Sequence, residues 1–110
     1  MVLIFKVVSQ EEWNSAGPEY PGSAHDRADG FLHFSTAAQL PETLRRYYAG
    51  RDDLLLLAVS TKALGAALKW EPSPSRGEDF PHLFSALPRS AVLWTRALTR
   101  GPDGAFLLPL

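Results

Sequence analysis

A continuous apolar run, DLLLLAV (Asp53 to Val59), stands in the middle of the chain with polar residues on either side. A strand with one wet face alternates apolar and polar side chains, so an unbroken run marks a strand covered on both faces. It predicts a central strand. The rest of the chain must then supply its in-plane neighbours and a covering layer above and below.

The flanking text provides both. VLIFKVV (Val2 to Val8) is short and β-branched and predicts a strand. SQEEW follows, in which Ser9 can accept from the first free amides of a helix while Glu12 reaches back, a capping-box pattern for a short helix ending before Gly17-Pro18. GPEYPGSAHDRADG (Gly17 to Gly30) is rich in turn formers and is expected as an irregular loop carrying Tyr20, His25, Asp26 and Asp29. FLHFS alternates, placing Phe31, His33 and Ser35 on one face and Leu32 and Phe34 on the other. A helix is expected from about Thr36 to Ala49, stopped by Gly50, with Thr36 and Gln39 as a second capping box and Pro41 disturbing its first turn. TKALG predicts a turn, ALKWE (Ala67 to Glu71) a short strand, PSPSRGED a mobile loop, and the last 20 residues two strands joined across Gly101 to Gly104. The order predicts an α+β domain over residues 1–110, with small mixed or antiparallel sheets and two or three helices.

Composition narrows the function. A formal net charge of −1 and a pI near 6.3, without runs of like charge, argue against polymeric nucleic acid as a partner. No signal-peptide pattern and no apolar run of roughly 20 residues is present, so a cytoplasmic protein without a membrane partner is expected. The absence of cysteine removes disulfides, thiolate metal sites and cysteine nucleophiles.

His33 is the sharpest residue, a titratable ring inside a strand that leads into a helix start. Free amides there, with the hydroxyls of Ser35 and Thr36, could bind an anion; alternatively Ser35 or Thr36 is a cap and His33 ties down the Gly22 to Gly30 loop. His82, in FPHLF, is a second candidate, against the commoner role of a hydrogen-bonded strand residue. Glu71, beside Trp70, is a candidate for general acid or base work, against a solvated strand end. Asp26 and Asp29 can equally be turn residues that bond their own backbone. His33, Ser35, Glu71 and His82 are expected around one concavity, with the Tyr20 to Asp29 loop as its wall and Tyr20 and Asp29 as ligand contacts. Only Arg27 brings positive charge to that loop, fewer cations than a diphosphate ligand usually meets. His33, His82 and one carboxylate could form a facial triad for a divalent metal, but no short-range pair of metal ligands is recognised and no metal is expected; phosphate-loop and Gly-x-Ser-x-Gly motifs are absent.

DGFLHFSTAAQLPETLRRYYAGRDDLLLLAV, the glutamate closing LKWE, and FPHLF together resemble the small bacterial proteins of domain of unknown function 952, from the first strand to the strand at Ala91. That family's fold is similar to a trimmed ADP-ribosyltransferase core, which binds NAD in a cleft between two small sheets. The resemblance implies NAD as a substrate, His33 and Ser35 near its ribose or phosphates, and Glu71 as the carboxylate that stabilises an oxocarbenium-like centre. FKVVS stands where a His-Gly-Thr or Arg-Gly stretch would mark the first strand, no Glu-x-Glu pair occurs, and FPHLFS replaces the family's FPHLYG. Three readings stay open: an enzyme on a nucleotide, a non-catalytic receptor for a small anionic metabolite, and a protein-interaction domain.

Overall fold

In the computed structural model, which describes residues 2–110, the Leu-rich run becomes β4 (Leu54–Ser60), the middle strand of an antiparallel sheet. Its neighbours are β1 (Leu3–Ser9) and β8 (Val92–Ala97), in the order β1-β4-β8. Leu3 pairs with Ser60 and Ser9 with Leu54, so the two apolar strands are in register along their whole length. Alternation then sorts their side chains into two cores. Phe5, Val7, Leu54, Leu56 and Ala58 pack with Leu40, Leu44 and Leu98 on one side, and Ile4, Val8, Leu57 and Val59 pack with Leu32, Phe34, Leu83 and Leu87 on the other. Both faces of β4 are covered, as its composition requires.

The second three-stranded sheet, β3-β6-β5, comprises β3 (Leu32–His33), β6 (Glu78–Leu83) and β5 (Leu68–Ser73), all antiparallel. The chain leaving β3 joins the two sheets. The Phe34 amide donates to the Pro81 carbonyl at 3.1 Å, and one residue later Ser35 and Phe5 exchange both backbone hydrogen bonds at 2.8 Å. His33 therefore lies beside a seam between sheets. Two smaller pairs complete the strands: β2 (Glu19–Tyr20) on β7 (Leu87–Pro88), and β9 (Thr99–Arg100) on β10 (Phe106–Leu107), the hairpin expected across Gly101 to Gly104.

Among the described residues, four short α-helices accompany the sheets, where two or three were expected: α1 (Gln10–Ser15), α2 (Ala24–Asp29), α3 (Leu40–Tyr47) and α4 (Thr61–Leu64). α1 is capped by Ser9, whose side chain accepts from the Glu12 amide. α3 starts later than the sequence implies. Residues 36–39 form a turn in which the Thr36 amide donates to Gln39 Oε1 and the Gln39 amide to Thr36 Oγ1, and Pro41 sits in the first helical turn, where no intrahelical donor is needed. Among the described residues, no helix is long and apolar enough to cross a membrane.

Two segments differ from expectation. The Gly17 to Gly30 stretch is ordered into β2 and α2, and α2 carries a reciprocal capping box between Ser23 and Asp26 and ends on Gly30 at φ 84°. PSPSRGED is part of a hairpin: β5 continues through Ser73, residues 74–77 turn, and β6 begins at Glu78. Entry to α2 depends on Gly22 at φ +99°, where a Cβ would lie 2.9 Å from Asp26 Cβ and 3.2 Å from Leu32 Cδ1. Gly22→Ala is expected to lower stability by about 1–3 kcal/mol in chemical denaturation, from backbone strain and that clash; an unchanged midpoint would mean that the turn relaxes without cost.

Candidate functional site

The site is organised around a buried carboxylate. As the third residue of α2, Asp26 points inward with 2 % of its surface exposed, against Lys6 of β1 with 3 %. Its Oδ2 accepts from the Ser23 amide at 3.0 Å and from Lys6 Nζ at 2.8 Å, and its Oδ1 accepts from the His33 amide at 3.1 Å. Lys6 Nζ also donates to the His33 carbonyl at 2.8 Å. Burial alone would raise the Asp26 carboxyl, but the His33 hydrogen bond and the Lys6 charge outweigh it and hold the group well below the usual carboxylate range. The same burial pulls the Lys6 ammonium below its ordinary value, partly offset by Asp26.

His33 extends from this hub. Its Nδ1 lies 2.6 Å from Asp26 Oδ1 and its Nε2 2.9 Å from Asp29 Oδ2, so both ring nitrogens meet carboxylates of α2. The ring is 32 % exposed, stacks on His25 at 4.6 Å and lines a cleft of about 690 Å³. His33 is thus both the tie that fastens α2 to the sheet and part of the cleft wall.

His82 is the register partner of His33 on β6, with ring centroids 5.8 Å apart. Phe31 stacks on it at 4.0 Å, and Glu71 Oε1, from the adjacent strand β5, lies 2.8 Å from its Nδ1. Among the described residues no group hydrogen-bonds His82 Nε2, and the ring lines the cleft. Glu71 is not on the cleft wall; it contacts the ring that is. The predicted concavity therefore contains His33, Ser35, His82 and Asp29, with Ser23, Ala24 and His25 of the α2 segment on its wall, and Glu71 reaches it only through His82.

Two expected contacts lie elsewhere. Tyr20 is buried in the core at 5.7 Å from Trp13, because β2 pairs with β7 and turns the ring inward, away from the cleft. The anion cradle expected at the helix start is closed. Thr36 has its amide and hydroxyl engaged by Gln39 and is not on the cleft wall, and Ser35 lines the cleft with its amide bonded to Phe5 and its hydroxyl to Thr43 Oγ1 at 3.0 Å. Positive charge comes instead from Arg76, in the turn expected to be a mobile loop. Its guanidinium lies 4.4 Å above the Phe80 ring and donates to Thr43 Oγ1 at 2.9 Å and to the Gln39 carbonyl at 3.2 Å, both neutral acceptors. Arg51, also on the wall, is paired with Asp53. Tyr48 is pushed up to about 12 by burial, so it presents a neutral phenol.

The remaining wall includes five aromatic rings, Phe5, Phe31, Phe34, Tyr47 and Phe80, beside Val7, Glu12, Thr43 and residues 72–75. The arrangement can hold a flat, partly apolar molecule bearing negative charge, with His82 Nε2 available to exchange a proton. His25, Asp29 and His33 also bring one ligand atom each to within 4.8 Å of one another. His25 enters this group unforeseen, although HxxxDxxxH at four-residue steps is legible in HDRADGFLH once α2 is known to be helical.

The X-ray crystal structure of protein CC0527 from Caulobacter crescentus is similar to this chain, with 41% sequence identity, a TM-score of 0.89 and coverage of 96% of this chain and 93% of that one. The solution NMR structure of CC0527 is 42% identical with a TM-score of 0.85, covering 96% and 91% of the two chains. No curated protein matches the chain. Residues 7–95 match the family described as "Protein of unknown function (DUF952)", and with most of its length inside that match the chain belongs to the DUF952 family.

Proposed function

We propose that the cleft binds a small anionic molecule carrying a planar ring, of the nucleotide class, and that His82 exchanges a proton with it. One observation carries the reading: Glu71 holds His82 Nδ1 at 2.8 Å while, among the described residues, no group bonds Nε2 and the ring lines the cleft. A carboxylate accepts only, so Nδ1 carries the hydrogen and the neutral ring presents its lone pair at Nε2, the tautomer of a general base, with Glu71 placed to stabilise the imidazolium that forms. Stacking faces and the Arg76 guanidinium suit a base or nicotinamide ring with a phosphate. NAD is the narrower candidate, supported by the resemblance to an ADP-ribosyltransferase core; in that case Glu71 acts through His82 rather than directly on the ribose. The partner in this reading is a cytoplasmic small molecule, not polymeric nucleic acid or a membrane.

A non-catalytic receptor for the same anion is favoured by His33, whose two ring nitrogens are both held by carboxylates and offer no free lone pair for chemistry. Thermal denaturation against mononucleotides, NAD and inorganic phosphate tests the shared part. A member present at 100 times its Kd adds about 2.7 kcal/mol of stability, and Arg76→Leu is expected to weaken its binding at least tenfold. No stabilisation by any member would remove the ligand class, and turnover of the bound member separates enzyme from receptor.

A further inference from the structure

The hydrogens around His33 do not balance in a neutral ring. Asp26 Oδ1, at 2.6 Å from Nδ1, is an acceptor, so Nδ1 donates and Nε2 is left with a lone pair. Yet Asp29 Oδ2, a second acceptor, lies 2.9 Å from Nε2. Two lone pairs at that distance repel unless a cation lies between them. A second ring proton would serve, but a proton needs only these two partners, and a third donor is present: His25 Nε2 lies 3.6 Å from the same Asp29 oxygen. We propose that His25, Asp29 and His33 form a binding site for a divalent transition metal of the zinc class, with Asp26 as the outer carboxylate that orients His33.

Closing the site takes movement of one side chain, His25, since the three ligand atoms already lie within 4.8 Å of one another. Ligand atoms about 2.0–2.1 Å from a tetrahedral zinc lie about 3.3 Å apart, and the observed separations of 2.9 and 3.6 Å fall on either side of that value. The side chain of His25 is 71 % exposed and free to swing in, which it must do, since its ring now stacks on His33. His25 and Asp29 are one turn apart on α2, and His33 follows beyond the Gly30 turn. The Asp26–His33 contact is the carboxylate–histidine pairing that fixes the tautomer and direction of metal-bound imidazoles. Two imidazoles and one carboxylate, without thiolate, suit zinc and its neighbours rather than calcium or magnesium, which take oxygen shells. All three ligands line the cleft, so the fourth position opens into it.

The test is calorimetric titration of the chelator-stripped full chain with Zn2+, repeated with Co2+, whose visible absorption is strong only in tetrahedral sites. One saturable zinc per chain is expected, with at least tenfold weaker binding in His25→Ala and in Asp29→Asn. His25→Ala should melt like the unsubstituted protein in chelator, because its ring is exposed, and should lose the zinc-dependent rise in Tm. His82→Gln should bind zinc with unchanged affinity, which keeps this site separate from the proton-transfer reading. Absence of saturable zinc binding, affinity unchanged in His25→Ala, or a loss in His82→Gln as large as in His25→Ala would each overturn the proposal.

Discussion

Lys6→Met is expected to destabilise the protein by about 3–5 kcal/mol, because it leaves the Asp26 carboxylate buried without its cation. Lys6 and Asp26 are in contact at 2.8 Å and almost wholly out of water, so no solvent replaces the lost partner. Asp26→Asn should cost less, since the amide oxygen can still accept from the Ser23 or His33 amide and Lys6 retains the His33 carbonyl. The double substitution should recover part of the Lys6→Met loss, since no buried carboxylate then remains. Acid dependence offers a second measure. The folded-state value of Asp26 lies below its unfolded value, so the unfolded chain binds more protons and stability rises with pH through the acid range. The stabilisation is complete above the ordinary carboxylate range, about pH 4, and is lost as the pH falls toward the folded value. Urea unfolding between neutral and acid pH should therefore give a flatter acid limb for Asp26→Asn than for the unsubstituted protein; superposable limbs would show that Asp26 contributes nothing to acid stability.

The contrast between β4 and α2 explains what the sequence reveals and what it hides. The DLLLLAV run asks for burial on both sides, and its central place in a sheet is legible in composition, while its neighbours β1 and β8 are not. α2 has no such signature, because its one buried residue is an aspartate and hydrophobic periodicity therefore vanishes. Its ends carry cap residues that the loop reading passes over, Ser23 three residues before Asp26 and Gly30 after Asp29. The pairing that buries Asp26 with Lys6 joins residues 20 positions apart and leaves no local trace. Alternation within FLHFS places Leu32 in the core and His33 on the cleft, but it lapses beyond β3, where Ser35 is buried like Phe34 and both line the cleft; the contact between Glu71 and His82 needs the β5–β6 register, which a loop reading of PSPSRGED conceals. That reading also hid Arg76, which looks like solvated charge until the hairpin lays it over Phe80. Tyr20 shows the opposite error: a phenol among turn formers looks exposed, but two residues of strand pairing turn it into the core.

The largest functional effect is expected at His82. With whichever nucleotide the ligand panel identifies as substrate, His82→Gln should lower kcat by about 10²–10⁴-fold, the usual contribution of a positioned general base, with affinity held within a few-fold. The amide is close in size to imidazole and can still stack on Phe31 and bond to Glu71, so packing is largely kept while the proton acceptor is lost. Glu71→Gln examines the positioning role separately. Its amide nitrogen can donate to His82 Nδ1 and favour the tautomer with hydrogen at Nε2, the wrong one for a base, so a loss in kcat approaching that of His82→Gln is expected without a loss in binding. Because Glu71 lies off the cleft wall, a direct role on substrate would have to raise KM or act without His82. The double variant decides between them. If Glu71 works through His82, the double variant is no slower than His82→Gln alone, whereas independent action would multiply the two losses. Full turnover in His82→Gln would remove the histidine from the chemistry and leave the cleft as a receptor.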